Sequence, residues 1–319
     1  MEKLKLCSTG GLIYEHEVKP YSALSTFLLD WSSLNKPIMA NILLFGATGH
    51  AGRAIARELQ TRGHQVTAVV RNEQKAKPLL WGIENFVVAE VTKPDTLRGI
   101  CKGHEVVVSA LGKSVSPNDW SRPTFEAVDF RGNLNILSEA KASGVRQFVY
   151  LSAFGSEQMR HLTYFRVHDD FCNALKISGL GYAIIQPPAI MSSFLDLAKM
   201  ARGGWLMTIG SGEYRTNPIS EADLAKVCAD TIGQPNTVIA AGGQRIYTRH
   251  EINGIIQKLT APKKKVRRVP LWFMRSALPF WKILNRNMYD KLAFFAEVME
   301  HDLLAPQVGE ISLEDYFMQ

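Results

Sequence analysis

Residues 41–55 read NILLFGATGHAGRAI, and this stretch decides the fold class. A short apolar run predicts a buried strand, glycines follow at 46, 49 and 52, and a helical pattern then runs to Gly63. The first glycine permits a tight turn from strand to helix, the second admits a pyrophosphate to the backbone N–H groups, and the third lets helix and strand pack closely. We therefore predict a dinucleotide-binding loop, the alternative being a glycine-rich turn without a ligand.

Further apolar runs alternate with helical patterns beyond this loop. The runs are near-continuous, as expected for strands that helices bury on both faces, and they are QVTAVV (65–70), NFVVA (85–89), EVVVSA (105–110), QFVYL (147–151) and YAIIQ (182–186). The helical patterns span 52–62, 96–102, 124–143 and 164–178, and a glycine suited to the left-handed position follows each of them. This alternation predicts an α/β protein with a doubly wound parallel sheet, a Rossmann fold with right-handed crossovers.

The regularity decreases after Pro188, and this divides the chain into predicted parts. Two further strand-like runs are TVIAA (237–241) and KVRRV (265–269), and helix caps are predicted at Ser220 with Asp223 and at Thr248 with Glu251. We expect residues 1–38 to be a poorly ordered extension and residues 39–245 to be the NAD(P)-binding Rossmann domain. Residues 246–319 are expected to form a small helical region that faces the substrate, together with residues 189–217.

Composition excludes several classes of protein. The 319 residues are 46% hydrophobic, which suits one large core, and the formal net charge of +7 favours anionic ligands without requiring nucleic acid. Four scattered cysteines predict neither disulfides nor a metal site. The sequence contains no apolar run long enough for a membrane helix and no recognisable targeting segment, so we expect a cytoplasmic protein with a small-molecule substrate. Nothing in the sequence indicates its oligomeric state.

Residues that follow the other strands should line the same crevice, because ligands of such sheets bind beyond the carboxyl ends of the strands. Arg71 follows the second strand, where an NAD site would place a carboxylate, and therefore favours the 2′-phosphate of NADP(H) over NAD(H). Glu90 and Val91 should lie near the adenine, and residues 110–112 near the pyrophosphate and ribose. The alternatives are a solvated arginine and ordinary loops.

Five motifs occur in order along the chain: GATGHAGR, VVRN, VVVSALG, LSAFG and ISGLGYAIIQPP. With these motifs the chain resembles the atypical short-chain dehydrogenase/reductases, in particular the NmrA-like NAD(P)-binding group, over about residues 40–230. That group includes reductases, epimerases, dehydratases, assembly factors and sensors without turnover, so the resemblance does not by itself define a reaction. It implies that Pro187 shapes the loop under the nicotinamide. The predicted cofactor contacts are Gly46, Thr48, Gly49, His50, Gly52, Arg53, Arg71, Glu90, Val91, Ala110, Leu111, Gly112 and Pro187.

The resemblance also implies catalytic positions. Ser152, Tyr164 and His168 stand where the family has serine, tyrosine and a lysine four residues on. A histidine is mostly neutral at pH 7, so we expect His168 to hold the ribose without lowering the tyrosine pKa. Tyr164 would then protonate the substrate while Ser152 orients it. The alternative is that Tyr164 only packs and His168 is a solvated helix residue.

Three polar residues outside this set match family positions. We expect Asp129 and Asn133 to be structural hydrogen-bonding residues. Asn217, in TNPIS (216–220), is either a ligand contact or a turn residue.

The C-terminal segment allows two interpretations. KKKVRR (263–268) concentrates cations ahead of the aromatic stretch PLWFMRSALPFWKIL, which indicates either a membrane or nucleic-acid surface, or an exposed strand followed by aromatics that cover a lipophilic pocket. We favour the pocket, exclude nucleic acid and leave peripheral membrane contact open. A last helix should dock through Leu292, Phe295, Val298 and Met299.

The sequence thus predicts an NADPH-dependent oxidoreductase that reduces a carbonyl or an activated double bond of a small or lipophilic organic substrate. The alternatives are a non-catalytic NAD(P)-binding regulatory or assembly protein and a nucleotide-sugar epimerase or dehydratase. Turnover would identify the first, and its absence despite cofactor binding would identify the second.

Overall fold

The computed structural model describes residues 39–116, 118–234 and 236–318. The strands are β1 (Asn41–Phe45), β2 (Gln65–Val70), β3 (Asn85–Val88), β4 (Val106–Ser109), β5 (Gln147–Leu151), β6 (Gly181–Gln186), β7 (Met207–Ile209), β8 (Arg215–Thr216), β9 (Thr237–Ala240), β10 (Tyr247–Thr248) and β11 (Arg267–Val269). The α-helices are α1 (His50–Thr61), α2 (Glu73–Ala76), α3 (Asn133–Ala142), α4 (Thr163–Lys176), α5 (Leu195–Gly203), α6 (Glu221–Asp230), α7 (Arg249–Thr260), α8 (Leu271–Leu284), α9 (Arg286–Val298) and α10 (Leu313–Met318). The extension predicted for residues 1–38 lies outside the described residues.

Seven strands form one parallel sheet in the order β3-β2-β1-β4-β5-β6-β9. Strand β1 pairs with β2 on one side and with β4 on the other, where Asn41 lies opposite Gln65 and Ile42 opposite Val106. The direction of strand order reverses between β1 and β4, and this switch point is where such sheets open a crevice. The predicted doubly wound Rossmann fold is confirmed.

The central strands bury both of their faces, which explains their continuous apolar runs. In β1, Ile42 and Leu44 enter the core on one side of the sheet, and Leu43 and Phe45 enter the core on the other side. These four side chains are at most 1% exposed. Helix α1 closes the first of these cores through residues such as Ile55.

One predicted helix is absent. Residues 96–102 form only the end of a 3₁₀ turn, Pro94–Leu97, followed by further turns. The cause is Gly99, whose φ of +76° interrupts a helical path. The predicted caps of later helices are confirmed, since Ser220 accepts from the Asp223 N–H and Thr248 forms a reciprocal capping box with Glu251.

A second layer is built from two separate parts of the chain. Strand β7 pairs with β11 and strand β8 with β10. A small core joins Met191, Ala198 and Leu206 to residues of α7 and α10, including Ile256 and Leu313. Residues 189–217 therefore pack with the C-terminal segment, while the domain boundary at residues 245/246 stays a prediction.

Helix α9 docks on the body partly through the predicted residues, since Val298 is buried and Phe295 and Met299 pack against the same small core. Its buried side chains include Met288, Lys291 and Ala296, whereas Leu292 and Phe295 are only partly buried. The helix ends at Val298 and is followed by α10. No helix within the described residues combines the length and the apolar character needed to cross a membrane.

Candidate cofactor and active site

The glycine loop between β1 and α1 has the geometry that its sequence predicts. Gly46 has φ +73°, and a side chain there would collide with the Ala110 carbonyl oxygen. A Cβ atom at Gly52 would collide with the Gly46 carbonyl oxygen, which accepts a 3.0 Å hydrogen bond from the Gly49 N–H. The loop therefore has space for backbone alone at these points, and Thr48 lies exposed at its tip.

Helix α1 presents an uncapped amino end next to this loop. Gly49 is its N-cap residue and brings no side chain, and within the described residues no side chain accepts a capping hydrogen bond there. Its first turn carries no acidic residue, while Arg53 reaches back to His50 Nδ1 at 3.1 Å. Free N–H groups and the positive end of the helix dipole favour an anion. The residues present thus fit the pyrophosphate of a dinucleotide.

Arg71 lies at the same edge of the sheet. Phe45 pairs with Val69, so Gly46 and Arg71 both follow directly beyond the carboxyl ends of neighbouring strands. Arg71 is exposed and forms no ion pair within the described part of the chain. Its guanidinium is therefore available to an incoming anion.

The loop after β3 is fixed by local hydrogen bonds. The Glu90 carboxylate accepts from the Thr92 hydroxyl at 3.2 Å, and the Glu90 N–H donates to Thr96. The Val91 carbonyl accepts from Asn135 at 2.9 Å. The Glu90 carboxylate therefore faces its own loop, and the position of Glu90 and Val91 near the adenine stays a prediction.

The segment after β4 is held between the glycine loop and α3. The Ala110 N–H donates to Phe45, and the Leu111 N–H approaches Ser109 Oγ at 3.4 Å. Ser109 Oγ donates to Asn133 Oδ1 at 2.6 Å. Asn133 in turn donates to the Asp129 carbonyl. These hydrogen bonds fix the backbone up to the exposed Gly112.

Asp129 lies in a π-helical turn, Glu126–Gly132, that leads into α3. It is 0% exposed, and its carboxylate oxygens accept from the Lys113 N–H at 3.2 and 3.3 Å. Burial raises the pKa of Asp129 to about 8. Wide turns of this kind are frequent at functional sites. Asp129 and Asn133 are the hydrogen-bonding residues that we expected, and Asp129 also borders the candidate active site.

His168 occupies an inner position rather than a solvated one. It is 4% exposed, its Nδ1 lies 2.7 Å from the Tyr150 hydroxyl, and its Nε2 lies 3.7 Å from Asp129 Oδ1. Burial lowers the pKa of His168 to about 4, so the ring is neutral at pH 7. The alternative of a solvated His168 is wrong. Nδ1 is held by Tyr150, whereas Nε2 faces Asp129 without a hydrogen bond, and the ribose contact of His168 stays a prediction.

Tyr164 lies directly against His168, with ring centroids 4.7 Å apart, as their spacing of one helical turn predicts. Phe125, Phe165 and Phe294 surround the ring. Burial raises the pKa of Tyr164 well above its usual value, so the hydroxyl keeps its proton at pH 7. No hydrogen-bond partner for this hydroxyl is found among the described residues.

Ser152 follows β5 and is buried, with its Oγ 3.2 Å from Cys172 Sγ. Its N–H donates to Ile185, and the nearby Phe154 N–H donates to the Pro187 carbonyl. The structure thus brings Tyr164 and His168 into contact and pairs Ser152 with Cys172. Their catalytic roles stay predictions.

A buried charge cluster beside the site was missed from the sequence. Lys113 Nζ lies 2.9 Å from Asp119 Oδ2 and donates to Ser121, and Lys291 Nζ lies 3.1 Å from the same carboxylate oxygen. The Lys113 and Lys291 side chains are 3% and 0% exposed. In the sequence, the charged loop after β4 was the only sign of this cluster, because Lys291 is 172 residues away from its partner Asp119. This cluster, which we call the lysine clasp, fastens Lys113, Ser116 and Asp119 to α9.

A glycine-lined crevice at the switch point of a parallel sheet defines a dinucleotide-binding protein of the Rossmann class. The chain matches the NAD(P)H-binding family over residues 46–235, more than half of its length, and it belongs to that family. The predicted family and the predicted NADP(H) cofactor are thereby confirmed at the level of NAD(P)H binding.

Relatives with different roles resemble this chain. It is 24% identical to a photosystem II assembly factor, Ycf39, of Trieres chinensis over 81% of this chain and 82% of the relative. It is 28% identical to the chloroplastic divinyl chlorophyllide a 8-vinyl-reductase of Arabidopsis thaliana over 96% of this chain and 82% of the relative. The fold is similar to that of the Citrobacter sp. triphenylmethane reductase, whose structure contains NADP(H), with a TM-score of 0.69, 18% identity and coverage of 88% and 99%. The cytoplasmic location expected from the sequence stays a prediction.

Proposed function

We propose that this protein is an NADPH-dependent reductase that delivers hydride and a proton to a carbonyl or an activated double bond of a lipophilic substrate. The observation that carries the proposal is Tyr164, a protonated hydroxyl without a protein partner, held in an apolar surrounding beside the crevice. A tyrosine that donates a proton must carry that proton at neutral pH and must be free to turn towards a substrate. Tyr164 meets both conditions.

The preference for NADPH rests on Arg71. An exposed guanidinium beyond β2 suits a bidentate contact with a 2′-phosphate, and no carboxylate stands at that position to accept from a 2′-hydroxyl. The glycine loop and the free N–H groups of α1 would hold the pyrophosphate. Residues 110–112 would line the path towards the nicotinamide.

When bound, the cofactor supplies the hydride. Tyr164 then gives its proton to the carbonyl oxygen, or to the carbon that becomes negative when a double bond is reduced. His168 acts as a positioning residue, since it packs against the tyrosine ring and is itself fixed by Tyr150 and faced by Asp129. The phenylalanines around Tyr164 exclude water and favour an apolar substrate.

The reductase relatives support the double bond as the reacting group. These relatives are 8-vinyl-reductases of divinyl chlorophyllide a. The aromatic surrounding of Tyr164 in this chain is compatible with such a class of substrate.

A second candidate function is cofactor-dependent assembly without turnover. It is favoured by His168, which is neutral and buried where the resemblance leads us to expect a lysine, so that no cation assists Tyr164. The photosystem II assembly factors among the relatives are consistent with this function.

The first test is calorimetric titration of NADPH and NADH into the wild-type protein, Arg71→Ala and the control Arg98→Ala, an exposed arginine whose ion pair is local. Charged hydrogen bonds contribute about 1.5–3 kcal/mol, so we expect NADPH to bind roughly 10- to 100-fold more tightly than NADH. Arg71→Ala should remove this difference, and Arg98→Ala should keep it. Equal binding of both dinucleotides to the wild type would refute the preference.

Turnover is then tested with NADPH and a panel of enones, quinones and vinyl porphyrins. Tyr164→Phe should lower kcat by at least about 100-fold, the scale of general acid catalysis, without changing NADPH affinity. The control is Tyr182→Phe, which makes the same change near the amino end of β6. Tight NADPH binding with no turnover of any substrate in the wild type would favour the assembly function.

A further inference from the structure

Helix α8 is apolar on two opposite sides. Leu271 is buried and Leu278 and Trp281 are partly buried against the body. The other side bears five large apolar side chains that are 59% to 86% exposed: Trp272, Phe273, Phe280, Ile283 and Leu284. A helix that is hydrophobic all round is normally covered all round. The aromatics therefore do not close over a pocket, and the interpretation favoured from the sequence is wrong for these residues.

The exposed residues lie on one stripe. At about 100° per residue, the five side chains fall within about 120° of the helix circumference. We call this stripe the α8 face. Its three aromatic side chains alone expose on the order of 400 Å², taking about 200 Å² for a complete aromatic side chain. A patch of this size on a monomer marks an interaction surface.

Cations lie directly beside the α8 face. Lys263, Lys265, Arg267 and Arg268 are exposed and form no ion pair within the described residues, and Pro270 joins them to the helix. Trp205 is 55% exposed and precedes β7, the strand that pairs with β11. The surface thus combines aromatic, aliphatic and basic groups.

We propose that the α8 face and the basic segment 263–268 dock this protein on the surface of an anionic lipid bilayer. Bilayer interfaces accept aromatic rings at the level of the headgroups, aliphatic side chains below them and cations against anionic lipid. Nucleic acid would use the cations and the rings but leaves Ile283 and Leu284 uncovered. A two-fold dimer through this face would place like charges on both sides of the contact.

The position of α8 explains what docking would achieve. Helix α8 packs along α9, and Phe294 of α9 contacts the Tyr164 ring with centroids 4.7 Å apart. The two helices therefore separate the proposed bilayer from the candidate active site. Docking does not depend on turnover, and it holds equally for an assembly protein.

The experiment is flotation of the full chain with vesicles of phosphatidylcholine, with and without phosphatidylglycerol, at low and high salt. We expect binding to the anionic vesicles, weakened by salt. Lys263→Gln with Lys265→Gln should weaken binding roughly 30-fold, since each cation near the surface contributes about 1 kcal/mol. Phe280→Ser with Ile283→Ser should weaken it at least about 10-fold, given about 25 cal/mol for each Å² of apolar surface that is buried.

The matched control is Ile177→Ser, which removes an apolar side chain of equal exposure beyond the end of α4. It should bind vesicles like the wild type, and thermal melts should show that every variant is folded. Failure of the wild type to bind anionic vesicles would overturn the proposal, as would equal binding by the Phe280→Ser, Ile283→Ser variant. A concentration-dependent dimer that the same variant abolishes, without vesicle binding, would assign the face to a second copy.

Discussion

Asp129→Asn should flatten the pH dependence of stability between pH 6.5 and pH 8. The folded chain keeps a proton on Asp129 up to a pKa of about 8, whereas the unfolded chain releases it at the ordinary value near 4. The neutral carboxyl therefore stabilises the fold fully below pH 4, and this contribution is lost as pH rises through about 8. Integrated from pH 6.5 to 8, the loss is about 2 kcal/mol.

The neighbours of Asp129 define this pH window. His168 Nε2 lies 3.7 Å away, the backbone N–H of Lys113 donates to the carboxyl, and Tyr150 and Tyr164 are the other titratable groups of the cluster. His168 has the opposite effect on stability, because its pKa of about 4 in the folded chain is below the ordinary 6.5. Its contribution to the free energy of unfolding therefore rises with pH and is nearly complete at about pH 6.5. The tyrosines keep their protons throughout the window.

The assay is urea unfolding at several pH values from 6.5 to 8. Asparagine keeps an acceptor for the Lys113 N–H but does not ionise. Between pH 6.5 and 8 the free energy of unfolding of the wild type should therefore fall by about 2 kcal/mol more than that of the variant. Asp95→Asn, an exposed carboxylate, is the control and should follow the wild type. Parallel curves for Asp129→Asn and wild type would show that Asp129 is already ionised in the fold, and the reasoning from burial would be refuted.

Three other substitutions have expected outcomes. Lys291→Met should lower the free energy of unfolding by about 3 kcal/mol in urea titrations, because it removes a fully buried partner of the lysine clasp. Gly52→Ala should abolish calorimetric NADPH binding, because a methyl group there collides with Gly46 and displaces the loop. Asn217→Ala should cost about 2 kcal/mol by thermal or urea unfolding, since it leaves both backbone groups of Ala305 without their buried partner.

Each of these three has a matched control. Lys199→Met changes an exposed lysine, Gly254→Ala adds a methyl group with no atom within 4 Å, and Asn85→Ala changes an exposed asparagine. The lysine and asparagine controls should remain within about 0.5 kcal/mol of the wild type in stability, and Gly254→Ala should bind NADPH like the wild type. A clasp variant as stable as its control would mean that Lys113 alone holds the loop, and normal NADPH binding by Gly52→Ala would contradict the role of the close helix packing.

The sheet could be predicted because its signals are local. Continuous apolar runs such as NILLF arise when both faces of a strand are buried, and the glycine positions report a turn that no other residue fits. The helix predicted over residues 96–102 is absent for an equally local reason, because Gly99 adopts a positive φ that interrupts a weak helical pattern. Sequence periodicity could not reveal that conformation.

The site was less predictable because its key contacts are distant in sequence. Tyr150 lies in an apolar strand and looks like a core residue, yet its hydroxyl fixes His168. The lysine clasp joins Asp119 to Lys291 across most of the chain. For Asn217 the sequence left two interpretations, and the structure places both of its amide atoms on Ala305, which favours the structural one.

The replacement of a lysine by His168 bears on the direction of the proposed chemistry. A cation beside Tyr164 would lower the tyrosine pKa and let it act as a base, as oxidation of an alcohol requires. A neutral, buried histidine leaves the pKa of Tyr164 raised by burial, and the nearby Asp129 adds to that rise whenever it is ionised. Both effects keep the proton on the phenol at neutral pH and make the phenol a weak acid. If Tyr164 is the proton donor, it would give its proton most readily to a strongly basic site, such as the carbanion that forms when hydride adds to an activated double bond, and we therefore expect a carbon–carbon double bond as the reacting group.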